Sequence, residues 1–347
     1  MPTPRVIADP PPTSWTAALK RTAGEAKDDN LTAWAAALTY YSILSIFPAI
    51  LVVVSLVGLA GRSATDDLIS DIGDLAPGAV RDLLVGSVRQ LQGGSGGAGA
   101  IAVVGLLGAV WSASGYVGAF MTASNIVYDV PEGRPIWKTV PLRIGVTLLT
   151  LVLLSASVIA VVVTGPLARK AGDVIGAGSQ AVTVWNIAKW PVLLIVVAFL
   201  FMLLYWASPN ARRGIRGLAP GGVLALAVWL AASALFAVYV ANFSSYNKTY
   251  GSLAAVIIFL VWVWITNLAI LLGAELNAEL ERGRAIAAGK PGEEPYVEFR
   301  DTRGFDDRER REAGLADTGG GGTGGGGTGG GGRVPGNHGS HRAEHGE

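Results

Sequence analysis

Long apolar runs alternate with short polar segments over most of this chain. Six of the runs have the length of roughly 20 residues that a helix needs to cross a bilayer. They cover residues 38–60, 100–127, 144–163, 184–207, 218–241 and 253–274. The last two contain no Asp, Glu, Lys or Arg, and only a short polar corner separates them. The pattern predicts an all-α, polytopic membrane protein with six transmembrane helices, of which the last two form a hairpin.

The segments outside these runs are polar and have different characters. Over residues 62–92, Leu, Ile and Val recur near helical spacing, which predicts short amphipathic helices in the first outer loop. Residues 1–30 are expected to form an N-terminal cytoplasmic segment. Residues 286–347 are expected to form a disordered, Gly-rich cytoplasmic tail, because a segment of this composition builds no core. The six-span membrane domain then covers residues 31–285.

The overall composition excludes several kinds of chemistry. The chain has no cysteine, so disulfides, thiolate catalysis and Cys-ligated zinc are excluded. A formal net charge of +1 gives no general attraction to nucleic acid. All three histidines lie in the tail, at His338, His341 and His345, and the chain contains no His-Glu-x-x-His or phosphate-loop motif. We therefore expect no metal site, no cofactor, no nucleic-acid partner and no enzymatic activity.

The predicted spans offer neutral polar groups and prolines instead. In the first span, Pro48 removes one backbone hydrogen bond, and the hydroxyls of Tyr40, Tyr41 and Ser45 lie in the two preceding turns. These hydroxyls can satisfy freed backbone groups, as a spanning helix requires. The pattern fits a packing kink, and it also fits a gate or a cavity lined by hydroxyls. Asn125, near the end of the second span, belongs to the same group of neutral candidates.

A second candidate group lies in the corner of the hairpin. Asn242, Tyr246 and Tyr250 are four residues apart, so a continuous helix would align them on one face. At the outer membrane surface these side chains form either an aromatic belt or the mouth of a path for a neutral or amphiphilic substrate.

A third group lies at the cytoplasmic end of the hairpin. Glu275 and Asn277 end the sixth span, opposite the arginines that precede the fifth. An ion pair that clamps the hairpin is one interpretation, and a gate is another. A basic rim that contacts anionic lipid headgroups is the third. The predicted headgroup contacts are Arg134, Arg212, Arg213 and Arg216.

Several segments together resemble the YihY/BrkB family of bacterial inner-membrane proteins. The opening signature of that family is similar to residues 35–48, Ala-Ala-Ala-Leu-Thr-Tyr-Tyr-Ser-Ile-Leu-Ser-Ile-Phe-Pro. Ser-Pro-Asn at 208–210, Tyr-Asn-Lys-Thr-Tyr-Gly at 246–251 and Leu-Gly-Ala-Glu-Leu-Asn at 272–277 also resemble it. The resemblance implies a six-span protein of the bacterial inner membrane, without a settled activity. Older naming in the family, ribonuclease BN, implies an RNA-cleaving enzyme that the residues above do not support.

Three functional hypotheses follow. The first is a transporter, or a protein that handles lipids or other amphiphiles, with a neutral polar cavity and an unidentified small-molecule or lipid substrate. The second is a non-catalytic membrane scaffold or assembly partner. Either role is compatible with an oligomer of this chain. The third is a membrane ribonuclease, which is retained only because of the family name. In each case the lipid bilayer is a partner, and anionic phospholipid is the expected class at the basic rim.

The distribution of Lys and Arg predicts where the chain ends lie. Both termini are expected in the cytoplasm, because the segments on that side then carry most of the basic residues near the spans. Reporter fusions at the two ends should both give a cytoplasmic signal, and a fusion within residues 62–92 should give the opposite signal. Ends on opposite faces would contradict the six-span topology.

Overall fold

The computed structural model describes residues 15–59, 96–162, 179–242, 252–289, 296–313 and 315. Within these ranges the regular elements are helical, apart from an isolated bridge between Ala211 and Phe299. Helices α1 to α8 cover Trp15–Asp28, Leu31–Leu59, Gly96–Val127, Ile136–Val162, Ser179–Ala207, Ala219–Asn242, Ser252–Ala287 and Asp307–Glu312. A 3₁₀ turn at Ile215–Leu218 precedes α6. The all-α prediction is confirmed. The described residues from Asp307, which include α8, belong to a separate unit.

The predicted spans correspond to helices. In the described residues, four helical segments are long and apolar enough to cross a membrane, namely Ile136–Val161, Val182–Ala207, Ile215–Val240 and Val256–Ala287. They match the third to sixth predicted spans. Helices α2 and α3 cover the first two, and the count of six spans stays a prediction. The loop helices predicted over residues 62–92 lie outside the described residues.

The outer surface of these helices is apolar. Large hydrophobic side chains are widely exposed on α5 and α6, for example Ile187 at 68%, Val223 at 68% and Leu235 at 73%. Water would penalise an apolar surface of this extent, whereas hydrocarbon does not. The surface is therefore that of a membrane protein.

Helix α7 is the element around which the others pack. It contacts α6, α2, α1 and α3. Its residues Leu271 and Ala274 are fully buried and belong to one hydrophobic core with Leu38 of α2, Phe120 of α3 and Tyr205 of α5. The hydroxyl of Tyr205 donates a hydrogen bond of 2.7 Å to the carbonyl of Ile270, so this core is also tied together by a polar contact.

Helices α6 and α7 form the predicted hairpin pair and approach each other closely at two glycines. A Cβ atom on Gly273 would lie 2.5 Å from the carbonyl oxygen of Gly221 and 2.8 Å from the Cβ of Ala225. Any side chain there would push the two backbones apart. Small residues at such a crossing let membrane helices pack by van der Waals contact, which replaces the hydrophobic drive available in water.

The tail begins later than the sequence predicts. Helix α7 continues to Ala287, and residues 296–306 pack on the helical domain. Tyr296 and Phe305 are buried, and Phe299 contacts the hydrophobic core. The expectation of disorder from residue 286 is thus corrected for residues 296–306. The physical reason is that this short stretch carries three aromatic side chains that bury against the domain, in a tail that is otherwise poor in apolar residues.

The glycine crossing generates a stability prediction. Gly273→Ala should lower the free energy of unfolding by about 1–3 kcal/mol, because the added methyl group overpacks the contact between α6 and α7. Thermal unfolding of the purified protein in detergent measures this effect.

Gly222→Ala is the matched control on α6. Its Cβ would meet only the Cγ of Met202, at an ordinary distance of 3.5 Å. It should leave stability unchanged or raise it, since Ala is the better helix former. Equal effects of the two substitutions would contradict the close crossing.

Candidate functional site

A cavity of about 360 Å³ lies among helices α2 to α7. Most of its wall is apolar and includes Leu154, Trp229 and Trp262. The lining residues of α4, α6 and α7 fall near the middle of the candidate spans, whereas those of α5 lie toward the end of its span. The polar lining residues are Ser42, Ser45, Tyr116, Thr147, Thr150, Thr266 and Asn267. None of the lining residues is charged.

Asn267 is the centre of the polar part of this wall. It is 2% exposed and lies on α7. Its Oδ1 accepts a hydrogen bond of 3.0 Å from the hydroxyl of Tyr116 on α3. Its Nδ2 donates to Thr39 at 3.2 Å and to Ser42 at 3.4 Å, both on α2. One amide thereby connects three helices at membrane depth, where an unpaired polar group is costly.

The hydroxyls around the cavity are mostly occupied as donors. Ser45, Thr147 and Thr266 each donate to a carbonyl one turn earlier in their own helix, at 2.7–2.9 Å. A hydroxyl that donates in this way keeps its acceptor lone pairs. The Oγ1 atom of Thr150 is buried and has no hydrogen-bond partner among the residues that the structure describes. The wall is therefore suited to a neutral group that donates hydrogen bonds.

The cavity also reaches the lipid-facing surface. Leu154 of α4 lines it and is 43% exposed. A molecule with an apolar chain can therefore contact the wall from the hydrocarbon, without first crossing an aqueous surface.

The structure places the residues predicted for this site in different positions. Ser45 lines the cavity. Tyr41 packs against Gly115 of α3, and Tyr40 is 62% exposed, so neither is a lining residue. Pro48 lies inside the continuous helix α2, and Asn242 ends α6. Tyr246 and Tyr250 lie outside the described residues.

Asn125 belongs instead to a buried polar junction between the loop after α3 and the loop after α5. Its Nδ2 donates to Glu132 at 3.0 Å, and its Oδ1 accepts from the backbone N–H of Asn210 at 2.8 Å. Arg134 pairs with the same Glu132 carboxylate at 2.6 Å and donates to the carbonyls of Ala207 and Ser208. These carbonyls end α5, so the arginine caps that helix.

The junction corrects one predicted role. Arg134 is 5% exposed and its donors are used inside the protein. It therefore does not contact lipid headgroups. A guanidinium that pairs with a carboxylate in a forked geometry and also reaches two carbonyls is a structural anchor.

Residues 296–306 complete the junction through Asn210. The Asn210 side chain donates to the carbonyls of Pro131 at 3.1 Å and Asp301 at 2.8 Å, and it accepts from the backbone N–H of Asp301 at 3.0 Å. Gly133 lies directly under this segment, where a Cβ would contact the ring of Phe305. The Asn210 amide and the close approach at Gly133 thus add to the aromatic packing that holds this segment on the domain.

The carboxylates of the junction are held ionised. Burial raises the pKa of Glu132. The hydrogen bonds and charge of Arg134, together with the amide of Asn125, lower it by more, so the pKa lies below its ordinary value. Hydrogen bonds from Arg303 and Lys138 hold the pKa of Asp301 well below its usual range. Each ionised carboxylate stabilises the fold when the pH is above the pKa that the group has in the unfolded chain. This contribution is lost as the pH falls through the lower pKa that the group has in the folded protein.

Asn277 and Glu275 have separate roles at the end of the hairpin. Asn277 accepts from the backbone N–H of Gly221 at 2.8 Å and donates to the carbonyl of Leu218 at 3.1 Å, so it caps the start of α6. Glu275 is 1% exposed, and its Oε2 has no hydrogen-bond partner among the described residues. Within the described part of the chain, no ion pair joins Glu275 to Arg212, Arg213 or Arg216. The contact that joins the two helices at this end is therefore the Asn277 amide, which caps α6.

Sequence reasoning missed most of the polar cavity wall. The pattern of apolar runs does not distinguish Tyr116, Thr147, Thr150 and Thr266 from other span residues, although their spacing carries a signal. Thr147, Thr150 and Leu154 share one face of α4. Neutral hydroxyls on one face of three separate spans, together with Asn267, indicate a shared polar surface.

The fold and the site together define a class, an all-helical membrane protein with an uncharged internal cavity. The chain belongs to the family described as Virulence factor BrkB, whose model matches residues 22–296. The resemblance found in the sequence is thereby confirmed.

Individual relatives agree with this assignment. The chain is 31% identical over 265 residues to a ribonuclease-like protein, YfkH, of Bacillus subtilis, covering 75% of this chain and 92% of that protein. It is 31% identical over 272 residues to a UPF0761 membrane protein of Alkalilimnicola ehrlichii, covering 74% of this chain and 57% of that protein. A UPF0761 membrane protein of Vibrio atlanticus is 29% identical over 261 residues, covering 73% of this chain and 78% of its own length. No solved structure matches the chain.

The ribonuclease-like name describes the Bacillus protein. Across the described ranges of this chain, no three His, Cys, Asp or Glu residues come together as a group that could hold a metal ion.

The junction yields a direct prediction. Arg134→Gln should lower the free energy of unfolding by about 2–4 kcal/mol, because Glu132 loses its partner and the end of α5 loses its cap. Lys138→Gln also removes one positive charge, but its ion pair with Asp301 is half exposed. It should cost less than about 1 kcal/mol. Chemical denaturation of the two variants in detergent compares them, and similar losses would contradict an anchoring role for Arg134.

Proposed function

We propose that this protein is a six-span protein of the bacterial inner membrane, with both ends in the cytoplasm, that binds and moves an amphiphile through its central cavity. The amphiphile has an apolar body and a neutral polar group that donates hydrogen bonds. The observation that carries this proposal is the division of the cavity wall into an apolar part and an uncharged polar stripe centred on Asn267.

The lining chemistry supports an amphiphile over an ion. Moving a charged group into the hydrocarbon core is costly unless a countercharge or water compensates for it. No residue that lines the cavity supplies such a charge. The polar stripe instead offers lone pairs, and the Thr150 hydroxyl is without a partner in the described part of the chain. A hydroxyl or amide on a lipid-like molecule satisfies these groups.

The position of the cavity supports movement across the membrane. Sites that serve both faces of a membrane lie near its midplane, between packed helices. This cavity lies near the middle of the candidate spans in α4, α6 and α7 and reaches the lipid-facing surface at Leu154. A lipid chain can remain in the hydrocarbon while the polar group moves along the stripe.

Two substitutions test the proposal. Thr150→Val keeps the side-chain shape and removes a hydroxyl that has no partner within the described ranges, so it should preserve stability. It should reduce the amount of co-purifying amphiphile, measured by native mass spectrometry, by about fivefold, the value of one hydrogen bond of about 1 kcal/mol. Asn267→Leu should abolish retention, although it also disturbs the helix contacts.

Ser157→Ala is the matched control on α4. Its hydroxyl donates only to Leu153 in its own helix, and the residue does not line the cavity. It should leave retention unchanged. Vesicles reconstituted with the wild-type protein should also move a fluorescent phospholipid between leaflets faster than protein-free vesicles. Absence of both bound amphiphile and movement would contradict the proposal and favour the scaffold hypothesis.

A further inference from the structure

A second pocket lies at the end of α5 and shares no lining residue with the central cavity. It is open, has a volume of about 680 Å³ and is lined by Trp206, Arg212, Arg213, Gly214 and Arg300. Three of these residues are arginines and none is acidic. Arg300 comes from residues 296–306, the segment that sequence reasoning assigned to a disordered tail.

Two of the arginines are held in place without being neutralised. Arg213 donates to the hydroxyl of Tyr128 and to the carbonyl of Tyr205, and its guanidinium lies 4.0 Å from the centre of the Tyr128 ring. Arg300 donates to the carbonyl of Trp206 at 2.7 Å. These acceptors are uncharged. In the described residues, neither arginine makes an ion pair, and both line the pocket.

Arg212 adds a third guanidinium, on an exposed side chain. Its backbone N–H is fixed to the carbonyl of Glu298 at 2.7 Å, whereas its side chain is exposed. The backbone bond fixes the position of this residue beside the pocket, and within the described residues its guanidinium has no hydrogen-bond partner, so its five donors are open to a ligand.

The pKa values reflect the accumulated positive charge. Burial and the neighbouring Arg300 lower the pKa of Arg213 to about 9, although Glu281 opposes them. Burial and Arg134 lower the pKa of Arg300, with Glu132 acting in the opposite direction. An anion bound between these groups would relieve the repulsion.

We propose that this pocket binds the phosphate group of an anionic phospholipid at the membrane surface. Arginine forks match phosphate oxygens in a bidentate geometry, and several fixed guanidinium groups favour phosphate over a zwitterionic surface. Trp206 lies at the end of the candidate span Val182–Ala207 and is 43% exposed, as expected for an aromatic side chain at the headgroup level. The proposal does not depend on what the central cavity binds.

The test measures which lipid the full-length protein retains. Detergent-solubilised protein is incubated with an equimolar mixture of phosphatidylglycerol and phosphatidylcholine, and bound lipid is quantified by mass spectrometry after purification. The wild type should retain phosphatidylglycerol preferentially. Arg212→Gln and Arg300→Gln should each reduce that retention by about tenfold, the effect of losing one charge-assisted hydrogen bond.

Arg216→Gln is the matched control. It removes the same charge from an exposed side chain that does not line the pocket, and retention should stay at the wild-type level. Equal losses in the Arg212 and Arg216 variants would show that net charge alone matters and would overturn the site. Unchanged retention in the Arg212→Gln variant would overturn it as well, and this exposed substitution should not affect folding.

A parallel arm separates lipid phosphate from free phosphate. The wild type is titrated with inorganic phosphate while retained phosphatidylglycerol is followed. Retention that persists in excess phosphate supports the lipid as the ligand. Binding of inorganic phosphate with no preference between the two lipids would overturn the lipid assignment and identify a site for soluble phosphate compounds.

Discussion

Polar groups at membrane depth need partners within the protein, and this constraint shapes the whole molecule. Hydrocarbon offers no hydrogen bonds, so each buried amide must be satisfied by another helix. Asn267 meets this requirement by joining α2, α3 and α7, and Asn277 meets it by capping α6 from α7. The same contacts that satisfy these amides fix the relative positions of the helices. The cavity lies beside the Asn267 contacts, and its wall includes hydroxyls from several of the packed helices.

The central cavity and the polar junction are built from different kinds of side chain. Around the central cavity the side chains are neutral, whereas the junction at the ends of α3 and α5 is built on the ion pair of Glu132 and Arg134. This division is expected, since a fixed charge is tolerated near an interface and is expensive at the midplane. The junction holds the loops rigidly, and the neutral wall leaves room for a ligand.

Much of the fold could be predicted from the sequence, because apolar length and the hairpin pattern depend only on local composition. The cavity could not, because its wall combines single hydroxyls from several helices whose contacts are set by packing. The position of Arg134 could not be predicted for the same reason. A basic residue in a loop predicts a contact with lipid, but Arg134 is buried against Glu132 and the end of α5. The order in residues 296–306 depends on Asn210, which lies far away in sequence.

The central claim is that the cavity between Asn267 and Thr150 holds the polar end of an amphiphile. A cryo-electron microscopy structure of the protein in lipid nanodiscs tests it most directly. The account predicts elongated density in the cavity, with its polar end within hydrogen-bond distance of these two residues and its chain leaving past Leu154. A structure in which the side chains collapse and fill this space would contradict it.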